Sequence, residues 1–94
     1  MTTILLIEDA VDLANAIRRE LESNGYRVRH AADGVTGLLL FKNEAPDLVI
    51  LDWMLPKLSG LDVLREMRSQ SAVPILMLTA RLVALSRLIS NLAV

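Results

Sequence analysis

Three uninterrupted aliphatic runs constrain this chain more than any other feature: ILLI at residues 4–7, LVIL at 48–51 and ILML at 75–78. A short apolar run without alternation suits a strand buried on both faces, and such strands belong to parallel sheets with helices packed on each side. The intervening segments have the matching character. Residues 9–23 place Leu13, Ala14, Ile17 and Leu21 on one helical stripe, and Asn24-Gly25 then supplies a helix stop. Residues 26–31 alternate, with Val28 between Arg27 and Arg29, which predicts a short, partly exposed strand near a sheet edge. Asp33-Gly34 marks a turn, a helix follows over 35–44 with Leu38 and Phe41 inward, and Pro46 punctuates. After a loop over 53–59, a helix over 60–69 is expected to bury Leu61, Leu64 and Met67. Pro74 precedes the last aliphatic run. The tail, 81–94, reads as a helix with Leu82, Leu85, Leu88, Ile89 and Leu92 on one stripe. The order is β-α-β-α-β-α-β-α, an α/β fold in one domain spanning residues 1–94.

Composition narrows the function classes. Hydrophobic residues make up 53% of the 94, enough for a core, and aromatics only 3%, so that core is aliphatic. A chain of this size buries only about 60–65% of the surface its unfolded form exposes, so each element matters to stability. Ten basic and eleven acidic residues give a net charge of −1, which supplies no drive toward nucleic acid or anionic lipid. With no cysteine there is neither a disulfide nor a thiolate metal site. The opening MTTILLIED lacks the basic start and longer apolar run of a signal peptide, and no apolar stretch approaches about 18 residues. A cytoplasmic protein is expected, without membrane contact.

The polar residues that end the aliphatic runs carry the chemistry. In an open α/β sheet, ligands bind beyond the carboxyl ends of the strands. Glu8 and Asp9 close the first strand, Asp52 the third and Thr79 the fourth. Neighbouring strands lie about 4.8 Å apart, so three carboxylates can meet at one edge. Crowded carboxylates raise one another's pKa unless a cation neutralises them, and an all-oxygen set suits Mg2+ rather than zinc. A metal held by one or two carboxylates plus waters typically binds phosphate as well, so Asp52 is a candidate nucleophile toward a phosphoryl group, with Thr79 as a hydroxyl donor to it. Taken singly, each residue has a plainer reading: a Glu-Asp pair after a strand is often a helix N-cap, and an aspartate at a strand end is often a turn residue. Their coincidence at one end of one sheet favours the site.

These residues resemble a known family. Glu8-Asp9 after ILLI, then LVILDWMLPKLSGLDVLREMR, then PILMLTAR are similar to the receiver domains of two-component response regulators. The most specific segment is Asp52 to Gly60, where Pro56 stiffens the loop and Gly60 is expected to permit a tight turn into the next helix. The resemblance covers residues 2 to about 81. It implies a flavodoxin-like doubly wound parallel sheet of strand order 2-1-3-4. It also implies phosphorylation of Asp52 by a sensor histidine kinase, direct Mg2+ ligation by Asp9, Asp52 and the backbone carbonyl of Met54, and action of Glu8 through a metal-bound water. Thr79 and Ala80 would contact the phosphoryl group. Such a protein is a phosphoacceptor that assists its own phosphorylation and dephosphorylation, and not a free-standing enzyme. The style of the chain resembles regulators with a winged-helix DNA-binding output, which implies transcription regulation in a full-length form.

The likeness fades after Arg81. A complete receiver has a fifth strand and a fifth helix, with a lysine that binds the phosphoryl group and an aromatic switch residue. The lysines of this chain are Lys42 and Lys57, and no aromatic follows Trp53. The expectation is a receiver truncated before its fifth strand, in which loss of one preorganised donor adds about 2.7–4 kcal/mol to the transfer barrier. Self-association is expected too, as a dimer through the uncovered sheet face, the fourth-strand edge and the tail helix, against a monomer whose tail fills the vacant site. The alternative function is a phosphorylation-independent interaction or oligomerisation module. A flavin site is rejected because IEDAVD would repel the flavin phosphate. A dehalogenase-type hydrolase is rejected because Met54 stands where it expects a second aspartate.

Overall fold

The computed structural model describes residues 1–78. The elements are β1 (Thr3–Ile7), α1 (Val11–Ser23), β2 (Arg27–Ala31), α2 (Gly34–Glu44), β3 (Leu48–Asp52), α3 (Gly60–Arg68) and β4 (Ile75–Leu78). The strands form one four-stranded sheet in the order β2-β1-β3-β4, with every pair parallel. The tail stripe over 82–92 lies outside the described residues.

Why the aliphatic runs are continuous is visible in the packing. Side chains of a strand alternate between faces. Ile4, Leu6 and Ile50 face α1 and pack with Ala14, Ile17, Leu21 and Val28. Leu5, Ile7, Val49 and Leu51 face the other way and pack with Ala31, Phe41, Val63 and Met67. Both faces are covered, so no position in β1 or β3 is left for a polar side chain until the strand ends. Each fully buried Leu or Ile contributes about 1.5–3 kcal/mol. β2, at the sheet edge, keeps only Val28 and Ala31 buried, as its alternation predicts.

Element ends follow local chemistry. Asn24-Gly25 stops α1 through a paired cap: Gly25 N–H donates to Glu22 O and Tyr26 N–H to Leu21 O, both at 3.1 Å, with Gly25 in the left-handed region at φ 89°. That bond holds Tyr26 in the cap, so β2 starts at Arg27. Asp33 caps α2, its side chain accepting the Thr36 N–H at 2.8 Å, and Ser59 caps α3 by accepting from Asp62 N–H.

One core assignment needs correction. Along α3 the buried positions are Gly60, Val63 and Met67, while Leu61 and Leu64 are only half-buried. The cause is the docking of Gly60. A Cβ there would collide with the Asp52 carbonyl oxygen, so the bare Cα presses against the end of β3 and turns residues three and seven further on into the core. The role of Gly60 is therefore space. The positive φ falls instead at Lys57 (φ 69°), where Leu58 N–H reaches back to Pro56 O at 2.7 Å in a γ-turn.

Candidate functional site

The site is built by strand register. β1 and β3 are neighbours with Ile7 opposite Leu51, so the next residues along, Glu8 and Asp52, face each other at the carboxyl edge. Asp9 follows before α1 begins. One carboxylate oxygen from each of Glu8, Asp9 and Asp52 lies within 4.8 Å of the others. Glu8 is 0% and Asp52 1% exposed, whereas Asp9 is half-buried. The three acidic residues singled out by sequence are thus brought together, two of them beneath the surface. Thr79 and Ala80 lie outside the described residues.

Main-chain donors aim the carboxylates. Glu8 Oε2 accepts the Ala10 N–H at 2.9 Å and Asp52 Oδ1 accepts the Met54 N–H at 3.1 Å. Glu8 and Asp9 are not the N-cap of α1: that position is Ala10, which offers no side-chain cap. The plainer reading of the pair is thereby set aside. Burial above all, with hydrogen bonding to Asp9 and the charge of Asp52 beside it, pushes the Glu8 carboxyl up to about 7, against the Ala10 N–H that draws it down.

The loop after β3 forms the rim. Trp53 N–H donates to Leu78 O and Gly60 N–H to Trp53 O, both at 3.1 Å, which pins the loop to β4 and α3. Trp53 is 43% and Met54 70% exposed, so the edge beside Asp52 is apolar and open to a partner. Lys57 meets Asp33 Oδ2 at 3.7 Å. His30 is a neighbour that sequence reading passed over. Its Nε2 lies 2.8 Å from the Glu8 carbonyl oxygen. As the chain's one histidine, close to the end of a strand that borders β1, it carried a signal that could have been used.

The donor set fits a hard divalent cation. All three side chains offer oxygen, their spacing suits a shared ion, and such an ion would offset the charge of acids held together partly below the surface. Among the described residues no helix is long and apolar enough to cross a membrane.

Comparison with known proteins agrees with this geometry. The family model for the response regulator receiver domain matches residues 4–88. The chain is 48% identical over 79 residues to the response regulator MprA of Mycobacterium sp. (strain KMS), covering 83% of this chain and 34% of that protein. It is 48% identical over 77 residues to the probable transcriptional regulator ycf27 of Porphyridium aerugineum, covering 82% and 32%. The chain thus spans about a third of the length of these curated relatives. Among solved structures, the receiver domain of Francisella response regulator 1452 superposes with a TM-score of 0.82 at 30% identity, over 98% of this chain and 76% of that one. The chemotaxis protein CheY4 of Vibrio cholerae also gives 0.82, at 27% identity, over 99% and 80%. Fold, strand-end acids and relatives converge, and the chain belongs to the response regulator receiver domain family.

Proposed function

We propose that this chain is a phosphoacceptor of two-component signalling and that Asp52 takes the phosphoryl group. The observation that carries the proposal is the near-complete burial of Asp52 against Glu8 and Asp9, with Oδ1 held by the Met54 N–H. That hydrogen bond sets the rotation of the carboxylate, which is the positioning a displacement at phosphorus requires. An Asp52 carboxylate oxygen forms a P–O bond as the P–N bond of a sensor kinase's phosphohistidine breaks, and the freed imidazole takes up a proton. Asp9 and Asp52, with the Met54 carbonyl, would ligate Mg2+ directly and Glu8 through a water. When bound, Mg2+ offsets the charge on the transferring oxygens. Asp52 is consumed and regenerated, so the chain is a phosphoacceptor and not an independent enzyme. The likeness to a probable transcriptional regulator supports a role in transcription control for the full-length form, and a cytoplasmic location with a sensor histidine kinase partner completes the proposed reading.

Lys57 is paired with Asp33, and Lys42 sits in the last turn of α2, at the opposite end of the sheet from the acids. Intact mass after incubation with acetyl phosphate and Mg2+ tests the proposal: a single phosphoryl adduct mapping to Asp52 supports it, and no adduct or an adduct elsewhere refutes it.

Self-association is part of the same proposal. β4 is the outer strand among the described residues, and Ile75, Leu76, Met77 and Leu78 are all half-buried, unlike their buried counterparts in β1 and β3. A sheet edge invites strand pairing where nothing else covers it. Light scattering over a concentration series should show a dimer, and a monomer that persists into the high-micromolar range would overturn that part.

A further inference from the structure

The ladder between β1 and β2 leaves one acceptor to be served. Arg27 N–H donates to Thr2 O at 2.9 Å, and the strands stay in register to the pair Ile7 and Ala31. Acceptors on a parallel strand recur at every second residue. Continuing from Thr2, the series reaches the Glu8 carbonyl, and its ladder donor would be the Asp33 N–H. The chain has left the strand by then, because Asp33 is the N-cap of α2. The His30 ring stands in that place: Nε2 lies 2.8 Å from Glu8 O, while Glu8 N–H still donates to Ala31 O at 3.0 Å. A carbonyl can only accept, so Nε2 carries the hydrogen. β2 thus grips Glu8 on both sides, by its own carbonyl and by a side chain.

The peptide group is planar, so holding Glu8 O also fixes the plane of the Glu8–Asp9 link and the start of Asp9. We infer that His30 is a positioning residue of the acidic site, orienting Glu8 and Asp9 for Mg2+ through their shared peptide plane. The inference rests on the reading of Glu8, Asp9 and Asp52 as a Mg2+ site. The ring is half-buried and meets the main chain of Glu8, so it acts through that peptide and not on the substrate. Groups that orient metal ligands are worth about 10–100-fold in affinity. A contact made through the backbone belongs at the lower end, about tenfold.

The test is Mg2+ titration of the chain followed by Trp53 fluorescence, with parent, His30→Leu, His30→Gln and Asp9→Asn compared. Gln carries an N–H donor the same number of bonds from Cβ as Nε2, and Leu carries none. The expected result is an affinity about tenfold weaker in His30→Leu and restored close to the parent's in His30→Gln. A His30→Leu titration equal to the parent's, with Asp9→Asn weakened, overturns the inference and leaves the metal site standing. A His30→Gln as weak as His30→Leu also overturns it, because the donor would then not be what matters. A parent that responds no differently from Asp9→Asn brings down the metal reading and the inference together. If His30→Leu does not fold, nitrogen NMR of the parent decides: an Nε2-protonated ring coupled to the Glu8 carbonyl supports the inference, and a ring protonated only at Nδ1 overturns it.

Discussion

The β1–α1 and β2–α2 junctions both carry acidic side chains at the carboxyl edge of the sheet, and they treat them in opposite ways. After β2, Asp33 accepts the Thr36 N–H at 2.8 Å and the Thr36 hydroxyl at 3.2 Å, and it faces Lys57. Those bonds, the Thr36 N–H first, hold its carboxyl below the usual range. After β1, α1 begins without a side-chain cap, and Glu8 is driven up to about 7 by burial beside Asp9 and Asp52. An acid that caps a helix has its charge satisfied by that helix. An acid packed among other acids at the centre of the sheet edge does not, and the excess charge creates a demand for a cation. The difference lies in strand order: β1 is central and borders β3, while β2 is an edge strand.

The largest expected contrast between the two junctions is in phosphorylation. Asp52→Asn should abolish the acetyl phosphate adduct, whereas Asp33→Asn, which keeps a capping oxygen, should leave it at the parent level. An adduct that survives in Asp52→Asn, read by intact mass, would place the acceptor elsewhere. Next is metal affinity. Asp9→Asn should weaken the Mg2+ response of Trp53 fluorescence by more than an order of magnitude, and Asp33→Asn should not change it.

Stability against pH separates the junctions by sign. Glu8 ionises at 4.5 in the unfolded chain and at about 7 when folded. Between those values the folded protein holds a proton that the unfolded one has lost, so metal-free stability falls as pH rises through this window. Relative to Glu8→Gln, the parent should lose on the order of 2–3 kcal/mol across it, measured by urea unfolding. Added Mg2+ should recover stability most at the upper end, where the acids are ionised. Asp33 runs the other way. Its depressed pKa contributes stability that is present above the ordinary aspartate range and lost as pH falls through the folded value. Asp33→Ala should therefore be the smallest effect: a modest destabilisation at neutral pH that disappears in acid. The same slope for Glu8 and Asp33 would erase the distinction between the junctions.

Much of this was legible in the residues alone. The runs at 4–7, 48–51 and 75–78 dictated a doubly covered parallel sheet, because continuous burial leaves no solvent face. The acids ending two of those runs had to emerge at one edge, since parallel strands all end on the same side. Tertiary structure decided what periodicity cannot. Leu61 and Leu64 looked like the core face of α3, yet Val63 and Met67 are buried, because the contact between Gly60 and the Asp52 carbonyl sets the rotation of that helix. His30 met Glu8 only because β2 pairs with β1 and turns away at Asp33, leaving a carbonyl for a side chain to serve. Glu8 and Asp33 are both acids at the carboxyl edge of the sheet, with opposite pKa shifts. Asp33 is lowered first by the Thr36 N–H of its own helix, a contact local in sequence, whereas Glu8 is raised first by burial, with Asp52 brought beside it by the pairing of β1 with β3, which neighbours in sequence do not determine.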